Sequence, residues 1–527
     1  MRRLVDPLDD RGRAGVTAAL LDQTRALLDA AADEYRDDPA ALSQLEEHAT
    51  RLRDPLRVAL AGMVKAGKST LLNAIIGEEI APTDAAECTK VVIWYRHGTA
   101  PRITMHLASG AERTLPVRRI EGRLQIDLDG TPHEDIDRIV VEWPSRRLEE
   151  VTLIDTPGIA SLSTEISARS AAFLTPTESP PEADAIVYLM RHLHSADLGF
   201  LSAFHDTAVG RSRTVNAMAV LSRADEIGAG RIDALLSART IAERYRTDGA
   251  LRSLALDIVP IAGLVAQSAR TLREHEFEAL RELARLGRDA RERMLVSVDR
   301  FVRADAGIDV SPDARRNLLD RFGMFGIRMS TVAIRSGCDD STELADELYR
   351  RSGLEELVRL VGDQFRSRAD VLKARTALAA LGALVRDRPR PEGSRLPAAI
   401  ERLESNAHEL RELALLSTAR TTGLDLPPDE AAAAERLIGG AGTSPERRLG
   451  LPDGVGADEV RAAAMTALGR WRALAGSPLL DRASAEACDI VTRSCEALVV
   501  ATAPASVERR QLRLVLHPEP PVGGGGE

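Results

Sequence analysis

A chain of 527 residues is too long for one hydrophobic core, so we expect two or more domains. The composition, 44% apolar and 28% charged, excludes an intrinsically disordered chain, and the net charge of -10 argues against a nucleic-acid binder that is basic throughout. The four cysteines show no CxxC spacing, and we find neither a secretory segment nor a run of about 18 apolar residues. We therefore expect a cytoplasmic protein with reduced thiols and no bound nucleic acid.

The N-terminal segment, residues 1–54, has the periodicity of helices. Apolar residues recur every three or four positions from Leu20 to Tyr35, and again from Leu42 to Leu52. Such amphipathic helices need a partner to cover their apolar faces. We predict that they join a helical bundle formed with the C-terminal part of the chain.

Residues 55–290 alternate short apolar runs, rich in β-branched residues, with helical stretches. This alternation is typical of an α/β fold with a doubly wound, mostly parallel sheet, and here it predicts a nucleotide-binding head. The predicted strands are the runs "RVALAG", "VVIWYRH", "IVVEWP", "VTLID", "ADAIVYLM", "VNAMAVLS" and "LDIVPIAG".

The first of these strands leads into a glycine-rich loop with the P-loop spacing, from Gly62 through Gly67 to Lys68 and Ser69. The glycines allow backbone N–H groups to face a phosphate, and the following helix adds the favourable end of its dipole. Lys68 is expected to bridge the β- and γ-phosphates, and Ser69 to bind Mg²⁺. The predicted phosphate-binding residues are Gly62, Met63, Val64, Lys65, Ala66, Gly67, Lys68, Ser69 and Thr70.

A threonine that closes over the metal and the γ-phosphate is expected about twenty residues after the P-loop. Thr89 and Thr83 both lie in the stretch "APTDAAECTKVV". We favour Thr89 because it stands directly before a predicted strand, and we retain Thr83 as the alternative.

Two further strands end in polar residues. "VTLID" continues into Asp155, Pro157 and Gly158; the aspartate suits an outer-sphere or water-mediated contact with Mg²⁺, and the Gly158 N–H suits the γ-phosphate. The metal ligands that we predict are thus Ser69, Thr89 and Asp155.

The strand "VNAMAVLS" ends in Ser222 and is followed by Arg223 and Asp225. A carboxylate at Asp225 can accept both the ring N–H and the exocyclic amine of guanine, a pair of donors that adenine does not offer. The alternative role for Asp225 is the N-cap of a helix beginning at "EIGAGRIDALLS". Ala262 and Gly263, at the end of the last predicted strand, complete the candidate nucleotide site.

The C-terminal part is predicted to be helical. We assign residues 291–505 to a helical neck and stalk, because runs such as "SGLEELVRLVGDQF" repeat at helical spacing, and 506–527 to a disordered tail. The stretch "RFGMFGIRMS" is interpreted as a buried hinge or core, and "RDRPRPEGSR" as a solvated connector or, alternatively, a contact for anionic lipid headgroups.

The motifs "GMVKAGKSTLLNAIIG", "PTDAAECT", "IDTPG" and "LSRAD", flanked by helices, together resemble those of the bacterial dynamin-like GTPases. The longer stretches "SRADEIGAGRIDALLSA" and "RFGMFGIRMS" resemble the isoniazid-inducible branch of that family. The resemblance covers most of the chain to about residue 500. It implies GTP and Mg²⁺ as ligands, a head that dimerises or assembles with a related protein, and peripheral contact with the anionic inner face of the plasma membrane.

The sequence departs from the pattern of related GTPases in three places. Ser222 and Arg223 replace the usual Asn or Thr and Lys, so base selection rests mainly on Asp225. Ile159 stands where Ras-like enzymes carry a water-orienting glutamine. Lys65 occupies the position of a cation-binding serine or an arginine finger, and we hypothesise that its ammonium neutralises charge that develops between the β- and γ-phosphates; the alternative is a solvent-exposed lysine.

The catalytic candidates are therefore Lys65, Lys68, Ser69 and Thr89, and the predicted function is GTP hydrolysis coupled to head dimerisation, stalk movement and membrane remodelling or maintenance. Two other functions remain open. An Era-type GTPase of ribosome or RNA metabolism would share the head motifs but should carry a basic RNA-binding module. The second alternative is a GTP-gated scaffold that does not turn over GTP. It remains open because the sequence lacks the catalytic glutamine.

Overall fold

The structure, a computed structural model, divides into two compact units. The sheet unit contains residues 54–209 and 214–366, and the helical unit contains residues 1–53, 210–213 and 367–527. The backbone is described for residues 10–82, 90–120, 122–158, 182–206, 216–247, 249–303, 308–390 and 394–502, and side chains within these ranges from residue 19 onward except at 204–206 and 229.

The sheet unit is built on a nine-stranded sheet with the order β11-β10-β9-β1-β8-β2-β7-β3-β4. Its first five strands are parallel to one another, whereas β2 runs antiparallel to β8 and begins a mixed edge. The predicted α/β fold with a mostly parallel sheet is thereby confirmed. The strands are β1 Leu56–Gly62, β2 Val92–His97, β3 Arg102–Leu107, β4 Glu112–Leu115, β5 Arg118–Ile120, β6 Arg123–Gln125, β7 Ile136–Trp143, β8 Val151–Asp155, β9 Ala185–Met190, β10 Ala217–Ser222 and β11 Ile258–Ile261.

The central strands were predictable because helices cover both faces of the sheet there. Every residue of β9 and of β10 is buried, and such strands read as unbroken apolar runs. The strands β3 to β6 were missed. The strands β4, β5 and β6 have only three or four residues each, most of them polar or charged, and all three residues of β5 are exposed, so these strands carry no apolar run. In β3 apolar residues occur only at alternate positions, Ile103, Met105 and Leu107. β5 and β6 form a separate two-stranded hairpin.

Helices of the sheet unit continue beyond residue 290, where we predicted the end of the head. One apolar core joins Val265 and Phe277 to Phe301, Phe322 and Leu348, so the compact unit extends to Arg366. These helices are α3 Lys68–Ile76, α4 Ser195–Asp206, α5 Ala234–Thr247, α6 Gly249–Arg252, α7 Gly263–Arg270, α8 Glu274–Arg285, α9 Arg288–Met294, α10 Val298–Phe301, α11 Pro312–Arg335, α12 Ser341–Arg351 and α13 Leu354–Gln364.

The stretch "RFGMFGIRMS" lies in α11 and belongs to this core. Phe322, Phe325, Ile327 and Met329 are buried, as predicted, whereas Met324, also predicted to be buried, is only partly buried against the same core. Gly323 interrupts the helix with a φ of 62°, a conformation that glycine adopts without steric cost.

The helical unit combines the N-terminal helices with the C-terminal ones, as predicted. Leu28, Tyr35 and Leu45 share an apolar cluster with Leu381 and Ile400. The helices are α1 Asp10–Glu34, α2 Pro39–Arg53, α14 Ala369–Asp387, α15 Leu396–Asn406, α16 His408–Thr421, α17 Pro428–Leu437, α18 Pro445–Leu449, α19 Ala457–Ala475 and α20 Arg482–Ala501. The predicted tail, 506–527, lies outside the described residues.

The basic stretch "RDRPRPEGSR" is partly neutralised within the helical unit. Arg388 binds Asp38 at 2.6 Å, Arg390 binds Asp37 at 2.6 Å, and the Arg390 guanidinium lies 4.3 Å from the centre of the Tyr35 ring. These arginines thus tie the end of α14 to the connection between α1 and α2. Within the described ranges, no helix combines the length and apolarity that crossing a bilayer requires.

Candidate functional site

The candidate site lies along the carboxyl edge of the parallel strands. β1 lies between β8 and β9, and β10 lies between β9 and β11. Because parallel strands end at the same edge, the residues that follow β1, β8, β10 and β11 are neighbours there. The structure therefore brings together the predicted phosphate-binding and base-binding residues, which the sequence separates by up to two hundred positions.

The loop between β1 and α3 is shaped by its glycines. Gly62 has a φ of 144°, and a Cβ there would lie 2.2 Å from the Leu189 carbonyl oxygen, so only glycine fits. Gly67 has a φ of 94° and begins α3 in the left-handed region. Between them the Ala66 N–H donates to the Met63 carbonyl at 3.2 Å. The result is a tight turn that leads directly into a helix N-terminus.

Lys68 lies under this turn and is buried. Its ammonium donates to the carbonyls of Gly62 and Met63 at 3.3 and 3.4 Å, and both acceptors are neutral. Burial lowers the pKa of Lys68, although the nearby Asp155 carboxylate acts in the opposite direction. A buried cation held by carbonyl dipoles is stabilised when an anion binds beside it, and phosphate groups supply that charge.

Ser69, the next residue, is connected to the end of β8. Its hydroxyl donates to Asp155 Oδ2 at 2.6 Å. Burial raises the pKa of Asp155, and both Lys68 and the Ser69 hydroxyl oppose that rise. The carboxylate orients the serine oxygen, which agrees with a metal held by Ser69 and an outer-sphere role for Asp155.

The segment after β8 packs directly on the P-loop. The Thr156 hydroxyl donates to the Leu60 carbonyl at 2.8 Å, which fixes the start of this segment to β1. At Gly158 a Cβ would lie 2.5 Å from Val64 Cγ2 and 2.8 Å from Val64 Cα. Gly158 is thus adjacent to the loop, as a γ-phosphate contact requires, and Pro157 lies between the two anchors.

The residues that follow β10 form the base end of the site. The Ser222 hydroxyl donates to the Met190 carbonyl at 3.1 Å, and Arg223 adopts a left-handed φ of 52°. Asp225 belongs to a 3₁₀ turn at Ala224–Ala229, whereas α5 begins at Ala234, so the alternative role of Asp225 as cap of a helix beginning at Glu226 is not met. Burial raises the pKa of Asp225, and the neighbouring Glu226 acts in the same direction.

Two supports hold this end of the site. The Arg328 guanidinium of α11 donates to the Gly230 carbonyl, just beyond the turn, and to the Leu295 carbonyl at 2.6 Å. Ala262 is buried after β11, and a Cβ on Gly263 would lie 3.6 Å from Thr70 Cγ2. The strand end at 262–263 therefore contacts the P-loop helix.

Thr89 and its alternative Thr83, predicted to close over the metal and the γ-phosphate, both lie outside the described residues. Lys65, in contrast, is described: it is exposed and has a φ of 61° within the P-loop turn. A left-handed backbone is uncommon for a lysine.

Sequence reasoning missed Asn73, in the middle of α3. Its side-chain amide accepts from the Ile80 and Ala81 N–H groups at 3.0 and 2.7 Å and donates to the Ala81 carbonyl at 2.9 Å. This residue fixes the chain where it leaves the P-loop helix. A buried polar residue within the apolar run "LLNAII" was the available signal, because such a group requires partners.

The fold and this loop define a P-loop nucleotide-binding protein. A family model described as "Dynamin family" matches residues 58–198. The isoniazid-induced protein IniC of Mycobacterium tuberculosis is 43% identical over 484 residues, which cover 91% of this chain and 98% of IniC.

More distant relatives match over shorter stretches. The bacterial dynamin-like protein of Nostoc punctiforme is 29% identical over 170 residues, 30% of this chain and 24% of that protein. The isoniazid-induced protein IniA of M. tuberculosis is 31% identical over 185 residues, 34% of this chain and 27% of IniA. The chain therefore belongs to the bacterial dynamin-like family, in the group that includes IniC, and the resemblance seen in the sequence is confirmed.

Proposed function

We propose that this protein binds GTP with Mg²⁺ and hydrolyses it. The observation that carries the proposal is the arrangement around Lys68, a buried ammonium with neutral partners beside a serine that Asp155 orients. Lys68 would hold the β- and γ-phosphates, Ser69 would hold the metal, and Gly158 would contact the γ-phosphate. Bound Mg²⁺ would supply charge stabilisation during phosphoryl transfer.

Guanine selection is assigned to Asp225, at the other end of the same edge. Two N–H groups of guanine can donate to its carboxylate, and its half-buried position limits competition from water. Ala262 and Gly263 would border the base, and Ser222 and Arg223 would position the turn that carries Asp225.

Multiple-turnover phosphate release from GTP, with Mg²⁺ and with EDTA, tests hydrolysis. The proposal expects metal-dependent turnover and tighter binding of GDP than of ADP in calorimetry. Tight GDP binding with no more than one phosphate released per chain would instead favour the GTP-gated scaffold. Equal binding of GDP and ADP would overturn the guanine assignment.

The role of Lys65 remains our hypothesis. Its side chain is exposed, so the ammonium could fold over a bound triphosphate from solvent. Lys65→Ala should lower the steady-state turnover number about tenfold or more, equally in K⁺ and Na⁺ buffers, if the ammonium neutralises transition-state charge. An unchanged turnover number would show that Lys65 is a solvent-exposed lysine without a catalytic role.

We also propose that nucleotide binding controls assembly, either between two heads or with a related dynamin-like protein. The proposal rests on membership of the bacterial dynamin-like family, for which the sequence resemblance implies such assembly. Mass photometry with GDP, with GTP and with a transition-state mimic should show a larger species only with the last two, and a constant mass would contradict it.

Contact with anionic membrane is the last part of the proposal, and the helical unit supplies a candidate residue. Leu479 is 92% exposed in the turn between α19 and α20. Leu479→Ser should reduce co-sedimentation with cardiolipin-rich vesicles, whereas Met465→Ser, at an exposed apolar residue of α19, should not. If the unaltered protein does not co-sediment in either nucleotide state, this chain does not itself bind such membranes.

A further inference from the structure

Beside Asp225, the ends of β9 and β10 are linked by side chains whose role the nucleotide motifs do not explain. The Ser222 hydroxyl of β10 donates to the carbonyl of Met190, the last residue of β9. The next residue on each strand is an arginine, Arg191 after β9 and Arg223 after β10. Two guanidinium groups are therefore placed next to each other at the base end of the site.

Glu226 separates these two positive charges by binding both. Its Oε1 accepts from Arg223 at 2.7 Å, and its Oε2 accepts from Arg191. The pKa of Glu226 is held below its ordinary value by Arg223 and Arg191, which outweigh the effect of partial burial. The carboxylate thus stays charged at neutral pH, and each of its oxygens has one arginine.

A short backbone turn brings Arg223, Asp225 and Glu226 together. Arg223 has a left-handed φ of 52° and directly precedes the 3₁₀ turn that contains Asp225 and Glu226. Glu226 is the third residue after Arg223, and its N–H donates to the Arg223 carbonyl at 2.9 Å. One short turn thus contains the base-reading carboxylate, the arginine and the glutamate that holds the arginine.

A long arginine side chain is flexible, and ordering it on ligand binding costs roughly 1–2 kcal/mol of side-chain entropy. An arginine already held by a glutamate loses less of this entropy when a base packs on its methylene groups. Arg191, which follows β9, holds Glu226 in place, so a second strand also contributes to the ordering of the Arg223 side chain.

We propose that Glu226 is a positioning residue for nucleotide recognition: bridged to Arg191, it holds Arg223 so that the arginine methylene groups cover the face of the purine that Asp225 reads. This inference rests on the proposed guanine-nucleotide function. In this inference Asp225 contacts the edge of the base. Arg223, held by Glu226 and Arg191, covers the face of the base. The edge contact distinguishes guanine from other purines, and the face contact does not.

The alternative is that these are ordinary surface ion pairs. The side chains of Arg191, Arg223 and Glu226 are between 38% and 49% exposed, and exposed pairs contribute little to stability. The two interpretations differ in what the variants should change, since a surface pair affects neither stability nor ligand affinity, whereas a positioning role affects affinity alone.

The test compares Glu226→Gln with Glu292→Gln, which removes the charge from another exposed Arg–Glu pair in the sheet unit, that of Arg288. Dissociation constants are measured for GDP, IDP and ADP with Mg²⁺, together with kcat, KM and Tm. We expect Glu226→Gln to weaken GDP and IDP by the same factor, about three- to tenfold, because both present a purine face. KM should rise by that factor, with kcat and Tm unchanged, and Glu292→Gln should match the unaltered protein.

A double-mutant cycle tests whether Arg191, at the end of β9, acts through Glu226. Arg191→Gln should give part of the loss, and adding it to Glu226→Gln should give no further loss, because Arg191 acts only through Glu226. Restoring the charge with Glu226→Asp should recover part of the affinity.

The outcomes distinguish failure of the positioning role from failure of the proposed function. If the unaltered protein prefers GDP to ADP but Glu226→Gln keeps the affinity for GDP and IDP, the positioning role is wrong and the proposed function stands. A loss confined to GDP, with IDP unaffected, also overturns the role, since it would place Glu226 at the edge of the base. If the unaltered protein does not distinguish GDP from ADP, the proposed function itself fails.

Discussion

The two ends of the candidate site are built by different means. At the phosphate end, backbone geometry dominates: Gly62 and Gly67 adopt left-handed conformations, and the charged groups Lys68 and Asp155 are buried. At the base end, Arg223 and Glu226 are partly exposed, and ion pairs hold the turn. Buried charges are costly to leave without a partner, whereas exposed pairs exchange partners at little cost. Substitutions at the phosphate end should therefore have larger effects than those at the base end.

Lys68→Met should have the largest effect. Losing the buried ammonium removes charge-assisted hydrogen bonds to the phosphates, and we expect the affinity for GDP to fall roughly 100-fold or more. Calorimetry with Mg²⁺ measures this loss, and Arg288→Met, at an exposed cation of α9, is the control. A loss smaller than that of any base-end variant would contradict the comparison.

Gly158→Ala should have the second-largest effect. The added Cβ would lie 2.5 Å from Val64 Cγ2 and 2.8 Å from Val64 Cα, so the segment after β8 must move away from the P-loop. We expect GTP turnover to fall about tenfold or more with a smaller change in GDP affinity, since the displaced N–H is the group that we propose contacts the γ-phosphate. Gly199→Ala, where the added Cβ meets nothing within 4 Å, is the matched control. Equal losses for GDP and GTP would show a general distortion instead.

Asp225→Asn should change selectivity more than affinity for the phosphates. An amide offers one acceptor and one donor group in place of two acceptors, so the preference for GDP over ADP should fall roughly tenfold to 100-fold. The affinity for inorganic triphosphate with Mg²⁺, measured by competition, should stay unchanged. A parallel loss of triphosphate affinity would mean that the two ends of the site are not separable.

The smallest effect is the pH dependence of base recognition. Burial raises the pKa of Asp225 above its ordinary value of 3.8, and only the ionised carboxylate accepts both donors of guanine. The preference for GDP over ADP should therefore be complete above the raised pKa and should decrease as the pH falls through it. The GDP-to-ADP affinity ratio, measured from pH 7.5 downwards while far-UV circular dichroism shows intact folding, checks this; a constant ratio would contradict it.

The parts of the fold that sequence could predict are those with a local or periodic signal. The strands β8, β9 and β10 are unbroken apolar runs, and the loop from Gly62 to Ser69 has residue types that few other structures need. The hairpin of β5 and β6 has no such run and was missed. The compact unit extends past residue 290 because apolar faces of later helices pack on Val265 and Phe277, and a helical pattern does not say which core its apolar face joins.

The sequence alone determined the family, the nucleotide motifs and the central strands of the sheet, because each depends on residues close together in the chain. Tertiary structure alone decided that Asn73 holds the exit of the P-loop helix, that Asp155 accepts from Ser69, and that Glu226 joins the ends of β9 and β10. The last two contacts depend on which strands lie side by side, and pairing between distant segments is set by packing of the whole sheet, not by local sequence.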